Sequence, residues 1–244
     1  MIDIRDTGAV RVLTVSSGKV NALDVELLTE LTDAVHGAQQ SESGALVVTG
    51  AGSVFSAGVD LRRVLDGGQA YTDQLVPALS AAFTALFSFP RPTVAAINGA
   101  AIAGGCVLAC ACDRRLLAAG ATIGASELRV GVPFPVAALE ILRHACGDHA
   151  EDVLLEGRLH QGSDALARGL AHALVDGDAV GPAVDVASDL ATISADAYAN
   201  TKAQLRGPAL ARIQAGASVD EGVRAAWGSK QVAEAISAQF DRLR

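Results

Sequence analysis

Thr93-Val94-Ala95-Ala96-Ile97-Asn98-Gly99-Ala100-Ala101-Ile102-Ala103-Gly104-Gly105-Cys106-Val107 is the stretch on which the fold turns. After Thr93, Val94 to Ile97 are apolar, and the five residues are partly β-branched, the composition of a strand buried on both faces. Asn98-Gly99 and Gly104-Gly105 interrupt the run, and a helix is predicted from Cys106. The same design of strand, glycine-bearing turn and helix recurs at Val54-Phe55-Ser56-Ala57-Gly58-Val59-Asp60-Leu61. Glycine lets backbone N–H groups approach a ligand closely, and a helix N-terminus adds a positive dipole end. Two such turns brought together could aim two N–H donors at one oxygen, forming an oxyanion hole. A Gly-Gly before a helix serves plain close packing equally well, so both explanations stand at this level.

Working outward, residues 10–15, 45–49, 114–118 and 174–176 read as further strands. Residues 24–36 have helical spacing, with Leu27, Leu28, Leu31 and Val35 on one face and Asp24 as N-cap. A second amphipathic helix is predicted over 71–87, ending before Pro90 and Pro92. Shorter helices are predicted over 135–146, 149–155 and 163–168, and the pattern is helical from Pro182 to Arg244. Gly67-Gly68 and Gly177-Asp178 read as loops. Strands alternating with helices predict an α/β core over 1–190, with a helical region over 191–244.

The chain has 244 residues, half of them hydrophobic, enough for a sizeable core. A net charge of -8 argues against nucleic-acid binding, which normally uses a basic face. It leaves room for an anionic small ligand, which a few local cations can serve. Asp3, Arg5 and Asp6 stand where a signal peptide would need an apolar run. The long apolar stretch 94–112 is broken by Asn98 and three glycines, so it reads as core and not as a membrane span. The expectation is a soluble, cytoplasmic protein with no membrane partner. Cys106, Cys110, Cys112 and Cys146 lack His or acid at ligand spacing and read as reduced core thiols. His144, His149, His160 and His172 show no metal-pair spacing, so no metal is expected.

Several segments taken in order carry a resemblance. Asn21-Ala22-Leu23, Phe55-Ser56-Ala57-Gly58-Val59-Asp60-Leu61, Ala95-Ala96-Ile97-Asn98-Gly99, Gly104-Gly105-Cys106, Cys112-Asp113 and Glu127-Leu128-Arg129-Val130-Gly131 look like the ordered signature of the crotonase superfamily, the enoyl-CoA hydratases and isomerases. The resemblance runs from about Lys19 to Asp176, with a compatible helical tail. It implies a spiral of ββα turns, a C-terminal helical oligomerisation region packing on neighbouring copies, and a homotrimer or hexamer. It implies an acyl-CoA thioester substrate and no separate cofactor, coenzyme A being part of the substrate. Carried over residue by residue, the oxyanion donors are the backbone N–H groups of Val59 and Gly104. Lys19, Val20 and Ala22 match the loop that holds the adenine end, and Ala57, Gly58, Asp60, Leu61, Gly105, Val107 and Phe134 match other substrate-binding positions. Arg62 and Arg63 either meet phosphates or form a solvated helix face.

Hydratases of this group use two glutamates. The later one matches Glu127, and the earlier one matches Val107. Hydration requires a held and activated water, which valine cannot supply. A double-bond shift requires one base that takes a proton from C2 and returns it at C4. The sequence is accordingly similar to single-glutamate Δ3,Δ2-enoyl-CoA isomerases, including Gly131-Val132-Pro133-Phe134-Pro135 after the base. Apart from the resemblance, Glu127 could be a surface acid or helix cap. Glu140 either faces solvent near Arg143 and His144 or replaces the missing acid. Enoyl-CoA hydratase and a non-catalytic acyl-CoA binder remain as alternatives. Leu65, Tyr71, Leu75, Phe83, Phe87 and Phe134 are the expected determinants of pocket volume.

Overall fold

The structure is a computed structural model that describes residues 1–242, less the side chain of residue 217. The helical reading to Arg244 therefore ends on two positions outside the described residues. Strands β1 (Ile2–Thr7) and β2 (Val10–Val15) pair as an antiparallel hairpin. Helix α1 (Val25–Gln39) follows, its Asp24 cap accepting from the Leu27 N–H at 2.8 Å, and it buries Leu27, Leu28, Leu31 and Val35. An apolar stripe at three- and four-residue spacing thus does what helical periodicity requires of it.

The chain then repeats one unit three times. Strand β3 (Ala45–Gly50), strand β4 (Val54–Ser56) and helix α2 (Leu61–Ser88) form the first. Strand β5 (Thr93–Ile97), strand β6 (Ala100–Ile102) and helix α3 (Gly104–Cys110) form the second. Strand β7 (Arg114–Ala118), strand β8 (Ile123–Gly124), a 3-10 turn (Glu127–Val130) and helix α4 (Val136–Cys146) form the third. In each unit the first strand joins a larger sheet, ordered β1-β2-β3-β5-β7-β9, and the second joins a smaller one, ordered β4-β6-β8. Both sheets are parallel apart from the β1–β2 hairpin. This is the expected spiral of ββα turns. Helices α5 (Ala150–Glu156) and α6 (Gly162–Ala167) lead to strand β9 (Ala173–Val175). Helices α7 (Val180–Leu190), α8 (Ala195–Ala215), α9 (Ala217–Trp227) and α10 (Lys230–Arg242) complete the described chain. No helix among the described residues is long and apolar enough to cross a membrane.

Three departures from the sequence expectations have physical causes. Gly67-Gly68 is not a loop: it lies within α2, where Gly68 (φ 53°, ψ -143°) kinks the helix so that it starts ten residues earlier than residue 71. Strand β1 escapes the periodicity search because it is an edge strand with mostly exposed side chains. Strands β4, β6 and β8 have two or three residues each, too short for any period to show. The tail also has partners within its own chain. Helix α8 packs on α4, α9 on α2, and α10 on α2 and the 127–130 turn, so these helices cover the chain's own core.

Asp113 fastens that tail. It opens β7, and its carboxylate accepts from the Thr93 N–H (2.8 Å), Tyr198 Oη (3.0 Å), Lys202 Nζ (2.8 Å) and Arg206 Nη2 (2.7 Å). Burial alone would raise the Asp113 carboxyl, but Lys202 and Arg206 outweigh it and hold it below its ordinary range. Burial lowers Lys202 in turn, to about 8. Removing one partner of such a cluster leaves uncompensated buried charge. Asp113→Asn should therefore destabilise the fold by about 3–5 kcal/mol, read as a lower midpoint in urea unfolding.

Candidate active site

The first glycine turn is built around Ser56 and Asn21. The Ser56 hydroxyl donates to the Asn21 carbonyl at 2.8 Å and accepts from the Gly58 N–H at 3.2 Å. The Asn21 side chain donates to the carbonyls of Ala51 (2.9 Å) and Val54 (2.7 Å) and accepts from the Ser17 N–H (3.1 Å). One buried amide thus sews the 17–22 loop to the β3–β4 turn. The loop continues as a short parallel bridge, in which the Leu23 N–H donates to the Gly58 carbonyl (2.8 Å) and the Asp60 N–H donates to the Leu23 carbonyl (2.9 Å). In that geometry Val59 turns its own N–H away from Leu23.

The second turn arrives against the first. Gly58 has φ +86°, and a Cβ there would lie 2.8 Å from the Ile102 carbonyl oxygen and 3.2 Å from the Gly104 nitrogen. Only glycine fits both the backbone angle and the space. Ala103 is held at φ 51°, ψ -122°, a strained setting for a residue with a side chain, and its N–H donates to the Gly124 carbonyl at 2.8 Å. Among the described residues, neither the Val59 N–H nor the Gly104 N–H has a hydrogen-bond acceptor. Both groups border one cavity of about 620 Å³.

Glu127 stands on the same wall, at the start of the 3-10 turn after β8. The turn is closed by Gly131 in the left-handed region (φ 74°) and by the Val132 N–H donating to the Glu127 carbonyl at 3.1 Å. The side chain is buried, and Oε2 has no hydrogen-bond partner among the described residues. Burial pushes its carboxyl up to about 8, only partly offset by a hydrogen bond from its own backbone. A carboxyl kept neutral by a dry site and poised near neutrality suits general acid–base work. Val107 is fully buried on the same wall.

Lys19, Val20, Ala22, Ala57, Asp60, Leu61 and Arg62 also border the cavity. Asp60 is engaged as the N-cap of α2, accepting from the Arg62 and Arg63 N–H groups at 3.0 and 3.2 Å. Other expectations resolve differently. Gly58, Gly105 and Phe134 are not on the cavity wall. Gly105 is a packing residue, since a Cβ there would fall 2.3 Å from the Ser56 carbonyl oxygen. Arg63 does not face a phosphate site: it is paired with Glu26 (2.5 Å) and Asp24 (2.9 Å). Glu140 neither faces solvent nor replaces an acid, being buried between Arg212 (2.5 Å) and Arg143 (3.0 Å) away from the cavity. Of the six residues expected to shape the pocket, Phe83 borders it, and Leu65, Tyr71, Leu75, Phe87 and Phe134 do not.

Sequence reasoning missed the contribution of the tail. Trp227 from α9 and Gln239 and Phe240 from α10 complete the wall, with the Arg62 guanidinium 5.3 Å from the Phe240 ring centroid. The tail's apolar spacing shows that these helices bury a face, but not which surface receives it.

Known proteins share this fold. Human mitochondrial Δ3,Δ2-enoyl-CoA isomerase has a crystal structure that superposes with a TM-score of 0.93 at 27% identity, covering 99% of this chain and 97% of that one. The human mitochondrial enoyl-CoA delta isomerase 1 sequence is 30% identical over 215 residues, 85% of this chain and 71% of the relative. An enoyl-CoA hydratase structure from Mycobacterium marinum gives a TM-score of 0.83 at 30% identity, covering 92% of this chain and 98% of that one. A Thermus thermophilus protein named for enoyl-CoA hydratase is 38% identical over 129 residues; the match spans 52% of this chain and about half (51%) of that relative's length. The family model for enoyl-CoA hydratase/isomerase matches residues 5–240. With nearly all of the described chain inside that match, the protein belongs to the enoyl-CoA hydratase/isomerase family.

Proposed function

We propose that the protein is a Δ3,Δ2-enoyl-CoA isomerase with Glu127 as its sole base. The observation that carries this reading is the buried Glu127 carboxyl, its Oε2 without a partner, on a wall where Val107 offers no second acid. Asp60, the other carboxylate bordering the cavity, is engaged in capping α2. Glu127 removes the C2 proton of a 3-enoyl thioester, and the negative charge spreads onto the thioester oxygen and C4. The Val59 and Gly104 N–H groups donate to that oxygen. Losing one such donor typically costs about 3–4 kcal/mol of barrier. Protonated Glu127 then delivers the proton to C4, leaving the 2-enoyl product and a regenerated base. Lys19 and Arg62, at the cavity's exposed side, serve the anionic end of coenzyme A.

Hydration of a 2-enoyl-CoA is the competing reading, favoured by the relatives named as hydratases. The two are separated by assay of the purified protein on 3-enoyl and 2-enoyl thioesters. Isomerisation should be the faster reaction, and faster hydration would overturn the single-base mechanism. Glu127→Gln should lose at least ~10²–10⁴-fold in kcat while still binding acyl-CoA. Val107→Glu should raise hydration relative to isomerisation. Binding without turnover of either substrate would mark the chain as a non-catalytic acyl-CoA binder.

The base must be ionised to act, so kcat/KM for isomerisation should fall about tenfold per pH unit as pH drops below about 8. The same group affects stability with a definite sign. Its folded pKa, about 8, lies above the ordinary 4.5, so the folded state holds this proton more tightly. The group's contribution is fully present below the ordinary carboxylate range and is lost as pH rises to about 8. The penalty above that is on the order of 4–5 kcal/mol. Glu127→Gln should therefore be more stable than the native protein at about pH 9 and nearly equal to it at about pH 4, by urea unfolding at each pH.

We infer a homotrimer or hexamer, on the resemblance of the chain to its family. Light scattering should return three or six times the 24.7 kDa protomer, and a clean 24.7 kDa species would refute it.

A further inference from the structure

The cavity has two unlike ends. Lys19, Val20 and Arg62 lie at its exposed side. Leu79, Phe83, Val107, Val132, Ala138 and Trp227 form its buried side, none more than 4% exposed. A charged nucleotide keeps its hydration at the exposed side, and an acyl tail gains by entering the other. Trp227 is the chain's sole tryptophan and the bulkiest side chain of the buried group.

Trp227 is also held more firmly than an ordinary core residue. Its indole Nε1–H donates to the Pro133 carbonyl at 2.8 Å. The last turn of α9 is tied to α2 through the Arg224 carbonyl, which accepts from Gln69 Nε2 (3.3 Å) and Thr72 Oγ1 (3.4 Å). The next residue, Gly228, sits so close that a Cβ there would fall 2.2 Å from Gln69 Oε1. The ring is thus tethered at its indole N–H, and its backbone sits against the Gln69 side chain. Pro133 follows the turn that carries Glu127, so the indole is anchored to the segment that positions the base.

Resting on the acyl-CoA reading above, we propose that Trp227 ends the acyl pocket and sets the longest chain the site accepts. Ala138, on α4, belongs to the same buried side, and its small side chain leaves room there. The indole N–H is engaged with Pro133, so the buried end offers no free donor from Trp227 to a polar tail. The chain that fits is a straight aliphatic one.

The test uses two ladders of increasing chain length. Saturated acyl-CoAs are titrated by calorimetry, and 3-enoyl-CoAs are assayed for turnover, with native protein, Trp227→Ala, Trp227→Leu, Trp227→Phe and Ala138→Leu. Native affinity should rise with length and then break, dropping ~10-fold or more over one or two added methylenes. Trp227→Ala and Trp227→Leu should move the break to longer chains, and Ala138→Leu should move it to shorter ones. Trp227→Phe keeps a ring but loses the N–H; it should blunt the break and lower kcat more than it changes KM. Circular dichroism checks that each variant is folded, and Trp227→Leu and Ala138→Leu carry the test if Trp227→Ala is not. An unmoved break in folded Trp227 and Ala138 variants overturns the proposal. Shifted breaks in binding without 3-enoyl turnover uphold the pocket assignment and overturn the isomerase reading. Turnover with unmoved breaks does the reverse.

Discussion

Two backbone turns meet at Gly58 and Gly104 with no side chain between them, and the site depends on that approach. The Gly58 Cα lies 3.7 Å from where a Gly104 Cβ would stand, so two amides from segments more than forty residues apart border one cavity. Neither helix alone could provide this. Helix α3 has seven residues, too few for a strong dipole, so what the site offers here is the placement of individual N–H groups. The placement comes from the spiral: each unit returns its second strand to the small sheet, and β4 and β6 lie side by side in it. Asn21 and Asn98 hold the returning turns, the second by donating to the Gly50 and Gly52 carbonyls at 2.9 Å. Polar side chains that look like surface residues in the sequence are here the fasteners of the scaffold.

The acid side of the site follows the opposite rule. The two glycine turns are held by backbone bonds, whereas Glu127 is left with an oxygen unpaired in an apolar wall. Such an arrangement costs folding free energy and is retained where reactivity needs it. Glu140 is the instructive contrast. It is about as buried as Glu127, but Arg143 and Arg212 satisfy it, and it pins α4 to α8 instead of facing the cavity. Burial alone does not distinguish a reactive carboxyl from a structural one; the partner does.

That contrast explains how much was legible. The Phe55–Leu61 and Gly104–Cys106 motifs are local, their strand–turn–helix pattern is written in adjacent residues, and their positions hold in the structure. Glu127 is legible by resemblance, but its isolation is not, since a missing partner is a property of three-dimensional neighbours. Arg63 and Glu140 were ambiguous for the same reason: their partners Glu26, Asp24 and Arg212 are distant in sequence. Gly67-Gly68 misleads because glycine pairs usually end helices, and here packing carries the helix through a kink. Trp227 and Phe240 were invisible as wall residues because an amphipathic helix announces that it has a partner without saying where.

The cavity wall draws on residues from Ser17 to Phe240, nearly the full span of the chain. Synthesis proceeds from the N-terminus, so the strand-bearing part of the chain leaves the ribosome before the last helices. The strands of both sheets lie before residue 176, so every strand is made while the pocket still lacks one side. A nascent chain therefore presents the apolar flank of α2 and the Glu127 turn to solvent or to chaperones until α9 and α10 arrive. Closure of the cavity is in this sense a completion signal: only a chain made to its last described helix can shut the interior of the pocket away from water.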